Sequence, residues 1–165
     1  MKNATRDGVA PLDAREEAFF RALVRAVVTV PRAFDADLIR EQGMSRSEYS
    51  TLMHLSEAPG RWMRMSDIAA AADLSLSGIT RIVQRLEAQG WVRREKSTCD
   101  GRGWNAVLTD AGLARLREAW PTHLASARRH VMDHLTGIDL DPITKAMQNF
   151  AASECASAGS GLRPS

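Results

Sequence analysis

The sequence predicts a mainly α-helical fold with one small β-hairpin. Apolar residues recur at three- and four-residue steps over most of the 165 residues. The one short stretch rich in β-branched and aromatic residues lies around 91–109. Hydroxyl, acidic and glycine residues stand where helices need to start and stop. The length is that of a single domain, and 25% charged with 44% hydrophobic residues is ordinary for a globular chain. The net charge of +2 points to no partner, so any basic patch has to be sought locally. The first ten residues lack the apolar core of a secretory signal. The most apolar run, 22–34, is broken by Arg25, Pro31 and Arg32, which excludes a bilayer span there. Cys99 and Cys155 make no disulfide framework, so the expected compartment is a reducing cytoplasm.

Residues 1–11 read as a flexible leader. A long helix is expected over 13–42, where Phe19, Phe20, Leu23, Val27, Phe34 and Leu38 keep helical spacing. Pro31 should kink or split it, because proline lacks a backbone donor and clashes with the preceding turn. Ser45 followed by Glu48 is a capping box for a second helix, with Met44 and Tyr49 placed as a hydrophobic staple. Tyr49, Leu52 and Met53 form its inner face, and Ala58-Pro59-Gly60 stops it. A short third helix is expected over 67–73, after Ser66, with Ile68, Ala69 and Ala72 inward. Leu74-Ser75-Leu76 is then a turn. Ser75 caps a fourth helix that ends at Gly90, which suits a left-handed stop. Strands are expected at 91–96 and 104–108. Thr109 caps a fifth helix over 110–135, with a seam of Leu113, Leu116, Trp120, Leu124, Ala127, Val131 and Leu135 suited to a partner helix. Asp141-Pro142 starts a sixth, striped by Ile143, Met147 and Phe150. The Ser/Gly-rich tail 153–165 is expected to be disordered.

The chemistry concentrates on the fourth helix. On a helical wheel Ile79, Ile82, Val83 and Leu86 fall within about 100° and face inward. Ser77, Thr80, Arg81, Gln84 and Arg85 lie opposite, with no acid among them. Arginine grips the O6 and N7 of guanine, glutamine pairs with adenine, and hydroxyls take base edges or phosphates. The helix N-terminus near Ser75 and Ser77 favours a phosphate. A short helix, a turn and this helix match a helix-turn-helix, and the hairpin that follows is its wing. From Ser75 to Trp104 there are six basic residues against three acids, a larger excess than that of the whole chain.

In the hairpin loop, Arg102 stands between Gly101 and Gly103, two places after Asp100. A narrow minor groove attracts an inserted arginine, and the glycines let the backbone approach without side-chain clash. Asp100 is then a support of the loop.

The order of these motifs resembles the winged-helix regulators of the MarR family. The resemblance covers about residues 12–152. It rests on S-x-S-x-x-T-R at 75–81, L-E-x-x-G-x-V-x-R at 86–94, D-x-R at 100–102 and L-T-x-x-G at 108–112. It implies a winged-helix DNA-binding lobe over 45–109 and a helical dimerisation region over 12–42 and 110–152. It further implies a homodimer that binds a pseudo-palindromic operator and represses until a ligand or oxidant releases it. Ser75, Ser77, Thr80, Arg81, Gln84 and Arg85 then face the major groove, and Arg102 the minor groove. Interface candidates are Phe19, Phe20, Leu23, Leu124, Val131, Leu135, Ile143, Met147 and Phe150.

The resemblance also implies an effector pocket between the two regions, for which Met53, His54, Trp62, Met65 and Trp120 are candidates. Their aromatic and thioether character suits a small aromatic or phenolic effector, and no cofactor is required. Two sensing alternatives share the fold. His123, His130 and His134 lie on one stripe of the fifth helix, with a four-residue step that suits one metal ion. Cys99 lies near Arg94 and Lys96, which favour a thiolate. A protein adaptor without DNA binding is the alternative of another class. An enzyme is not expected, because no phosphate-binding glycine loop, nucleophile elbow or H-E-x-x-H pair occurs.

Overall fold

The computed structural model describes residues 10–96 and 103–158, with side chains to Phe150. Most of the leader therefore lies outside the described residues. So do Cys99, Asp100, Gly101 and Arg102 of the wing, while Gly103 lies within them.

The chain is mainly helical, with a three-stranded antiparallel sheet. Helix α1 (Ala14–Gln42) starts at a capping box that the sequence reading had not named: Asp13 accepts from the backbone of Arg15 and Glu16, and Glu16 reaches back to the Asp13 amide. Pro31 does not split α1, which runs through it. Val27, whose carbonyl loses its partner at the proline, is exposed, so water can reach it. Gly43 ends the helix at φ 59°, in the left-handed region that glycine adopts without strain.

Helix α2 (Arg46–Glu57) carries the expected Ser45/Glu48 capping box, and Met44 and Tyr49 are both buried beside it. A 3-10 turn (Pro59–Arg61) follows. Strand β1 (Trp62–Arg64) comes next and was not expected. Helix α3 (Met65–Ala71) therefore starts earlier than predicted. Ser66 does not cap it; its hydroxyl bonds the Asp67 carboxylate at 3.1 Å instead.

Helix α4 (Leu76–Ala88) is capped by Ser75, and its buried residues are the four predicted, Ile79, Ile82, Val83 and Leu86. Strands β2 (Val92–Lys96) and β3 (Trp104–Leu108) form the expected hairpin. The sheet order is β1-β3-β2, with Met63 opposite Ala106 and Arg94 opposite the same residue on the other side. The core lies between this sheet and the helices: Leu52 and Leu55 from α2, Ile68 from α3, the α4 face, and Val92, Ala106 and Leu108 from the strands. Burying each large aliphatic side chain contributes about 1.5–3 kcal/mol.

Helix α5 (Asp110–His130) is capped by Thr109, as expected, and runs through Pro121. It ends five residues before the predicted boundary, and Met132–Leu135 form a 3-10 turn. Its buried face is Gly112, Leu116, Ala119, Thr122 and Ser126, which packs on α1 and α2. That face is offset from the predicted seam, and Trp120 and Leu124 are exposed. Helix α6 (Leu140–Ala158) starts one residue ahead of Asp141 and runs into the segment read as a disordered tail. Asp139, rather than Asp141, accepts from a first-turn amide, that of Asp141 at 3.1 Å. No helix among the described residues is long and apolar enough to cross a membrane.

Candidate nucleic-acid interface

The exposed side of α4 is positioned by its buried one. Four aliphatic side chains lock the helix to the core, so the opposite face is held rigidly outward. Arg81 and Gln84 are exposed there and bond no other described residue. The hydroxyls are partly committed. Ser75 Oγ accepts from the Gly78 amide at 3.1 Å and lies 3.1 Å from Ser77 Oγ, and Thr80 Oγ1 donates to the Leu76 carbonyl at 2.7 Å.

Arg85 lies on the outward face as the helical wheel places it, but it is paired. Its Nε donates to Glu48 Oε1 at 2.9 Å, tying α4 to the start of α2. Burial would raise the Glu48 carboxyl, but the Ser45 amide and Arg85 bonds prevail and hold it below its ordinary value. Glu87 turns toward the wing, where it accepts from Arg94 Nε at 2.7 Å and from the Arg94 amide at 3.2 Å. Arg94 also lies over the Trp104 ring, 5.7 Å from its centroid. Arg93 pairs with Glu95 on the surface. The basic excess counted from sequence is thus partly neutralised in place, and the open positive charge on α4 is that of Arg81.

The five pocket candidates do not converge. His54 and Trp62 line a cleft of about 470 Å³ beside Glu57 and Asp67. Met65 is buried and borders a different cleft of about 290 Å³, with Arg64, Thr80, Arg94 and Trp104. Met53 packs against the core. Trp120 lies on α5, in a ring cluster that the sequence reading missed: His123 stacks on Tyr49 at 4.5 Å, with Phe34 at 5.5 Å and Trp120 at 5.8 Å. Helical spacing could not reveal this cluster, because it draws on α1, α2 and α5. Burial pushes the Tyr49 hydroxyl up to about 12 and lowers the His123 imidazole.

The structure does not bring the three histidines of the stripe together. His130 Nε2 lies 2.9 Å from Asp37 Oδ2, and His134 falls beyond the end of α5, so the four-residue helical step between them is lost. No group of three or more His, Cys, Asp or Glu among the described residues could hold a metal ion.

A pH effect follows from His123. Its folded form favours the neutral ring more than the unfolded chain does, whose imidazole titrates near 6.5. The unfolded state therefore binds more protons below that value, and stability falls on acidification. The melting temperature is expected to drop between pH 7.5 and 5.5, with a smaller drop in His123→Phe; an equal drop in both would exclude His123 as the source.

The interface candidates divide in two. Phe19, Phe20, Leu23, Met147 and Phe150 line one apolar groove of about 710 Å³ between α1 and α6, with Leu12, Val24 and Val27. Leu124 is exposed outside it on α5, and Val131, Leu135 and Ile143 are half-buried within the chain.

Comparison with known proteins gives a consistent result. A MarR family model matches residues 42–103. The chain is 34% identical to AbsC, a MarR family transcriptional regulator from Streptomyces coelicolor, over 90% of this chain and 99% of that one, with a TM-score of 0.81. It is also 34% identical to Sco3205, a MarR family transcriptional regulator from the same organism solved in complex with DNA, over 95% of this chain and 94% of that one, with a TM-score of 0.71. The transcriptional repressor MprA of Escherichia coli (strain K12) is 30% identical over 84 residues, 51% of this chain. That match spans 48% of MprA, about half its length.

Proposed function

Because the chain belongs to the MarR family of transcriptional regulators, a family of DNA-binding proteins rather than enzymes, we propose that it is a repressor that binds double-stranded DNA as a homodimer in the cytoplasm. The observation that carries this reading is the exposed face of α4, where Arg81 and Gln84 bond no other described residue on a helix fixed from behind by four buried aliphatics. In this reading α4 enters the major groove. Arg81 and Gln84 read base edges, while Ser75, Ser77 and Thr80 meet phosphates or bases. Arg85 is held in place by Glu48 and turns its remaining guanidinium nitrogens to the duplex. Arg102, outside the described residues, is the proposed minor-groove contact in this reading, with Asp100, Gly101 and Gly103 its proposed support.

The partner in the assembly is a second copy. The α1–α6 groove is lined almost wholly by apolar side chains that one chain leaves uncovered. Exposed apolar surface of this kind is what an association face presents. Two copies place two α4 helices on one face of a duplex, with half-sites about one helical turn apart. MprA, named as a transcriptional repressor, supports repression as the outcome. For the effector, the 290 Å³ cleft at the foot of the wing offers the Trp104 indole and Met65 beside Thr80 of α4, which suits a small aromatic molecule.

Selection of duplexes from random DNA by the purified chain tests this reading. Enrichment of one inverted repeat is expected, and no enrichment would refute it. On the enriched sequence, Arg81→Ala is expected to cost about 1–3 kcal/mol and to relax preference at one base pair. An unchanged base preference would remove Arg81 from base reading.

A further inference from the structure

Three elements meet at Arg115. Its guanidinium donates through one nitrogen to the Gln42 carbonyl and through the other to Gln42 Oε1 at 2.9 Å. Its charge lies over the Trp91 ring, 5.5 Å from the centroid. Gln42 is the last residue of α1, and Trp91 is the first residue after the glycine that ends the recognition helix. The side chain is only 16% exposed, and among the described residues it pairs with one carboxylate, Glu118, at 3.5 Å. A cation at a helix C-terminus meets the free carbonyls and the negative end of the helix dipole. Charge-assisted bonds in a largely buried place are also stronger than exposed ones.

The surroundings make this a stiff joint. Gln42 Nε2 donates to Thr122 Oγ1 of α5 at 2.8 Å. Thr109 Oγ1 donates to the carbonyls of Gly90 and Trp91 at 2.8 and 3.1 Å, and the Thr109 amide bonds the Trp91 carbonyl as well. The exit of α4 is thus fixed both to the start of α5 and, through Arg115, to the end of α1.

We infer that Arg115 is a positioning residue that sets the spacing of half-sites the regulator accepts. The inference rests on the dimeric DNA-binding reading above. If α1, α5 and α6 carry the twofold contact, the angle of each α4 relative to that contact is set at this joint. Adding one base pair between half-sites shifts one by about 3.4 Å and rotates it by about 35°. A stiff joint cannot follow such a shift, whereas a loose one can.

The test compares Arg115→Met with wild type on the selected operator, on versions one base pair longer and shorter, and on a single half-site. Wild type is expected to prefer the native spacing by about tenfold, a usual size for coupling between sites. Arg115→Met is expected to narrow that preference below about threefold while leaving half-site affinity unchanged. A preference that stays near tenfold, or an equal loss on every duplex, would overturn the inference. Should Arg115→Met fail to fold, Gln42→Ala carries the test by the same criterion, because it removes only the side-chain arm of the joint. Wild-type chain that binds no duplex would refute the DNA-binding reading itself, and with it this inference.

Discussion

Gly112→Ala is expected to destabilise the chain by about 3 kcal/mol or more, the upper range for overpacking a tight site. A methyl group at this position would lie 2.0 Å from the Trp91 carbonyl oxygen and 2.8 Å from Leu108 Cδ1. The first neighbour is backbone, and that carbonyl already accepts the amide and hydroxyl of Thr109. It cannot retreat without breaking the seam between the end of α4 and α5. The substitution therefore forces the first turn of α5 away from the hairpin. Urea unfolding of the variant measures this; a loss under about 1 kcal/mol would show that the seam yields.

Asp37→Ala is expected to cost about 1–3 kcal/mol, because it removes the shared acceptor of buried Ser126, half-buried His130 and two half-exposed arginines. Asp37 is buried in α1. Its Oδ2 accepts from Ser126 Oγ at 2.7 Å and lies 2.9 Å from His130 Nε2 and 3.2 Å from an Arg129 nitrogen, while Oδ1 takes Arg40 at 2.5 Å. The Ser126 bond is the largest influence on the carboxyl. With His130 and Arg40 it outweighs burial and holds the group well below its ordinary value of 3.8. The stability this gives is complete above that unfolded value and is lost as pH falls toward the lower folded one. Acid unfolding below pH 4 should accordingly be shallower in Asp37→Asn than in wild type. Because Ser126 is itself buried, alanine also leaves its hydroxyl without an acceptor. A loss under about 1 kcal/mol for Asp37→Ala would show that the cluster relaxes into solvent.

What the sequence made legible was local. Ser45 with Glu48, Ser75 and Thr109 are caps whose partners lie three residues away, so helix starts could be read without the fold. The inward face of α4 was legible for the same reason, because four aliphatics in thirteen residues leave one solution. Strand β1 was not legible: three residues between a Pro-Gly stop and a helix become a strand only by pairing with β3, more than forty positions on. The inner face of α5 was misread because Thr122 and Ser126 look like surface residues. They are buried because Gln42 and Asp37, some 80 and 89 positions away, satisfy them. The pairing of Arg85 was not legible, because its acid, Glu48, lies 37 positions earlier on another helix. The pocket candidates were chosen by residue type, and residue type alone could not tell that Trp120 and Trp62 belong to different surfaces.

The most direct measurement is the stoichiometry and salt dependence of the chain on its selected operator, by sedimentation of labelled duplex across a salt series. Two chains per duplex are predicted, with log affinity falling linearly as log salt rises, by about 0.9 for each phosphate neutralised. One chain per duplex, or an affinity indifferent to salt, would contradict the claim that a paired, positively charged face reads DNA.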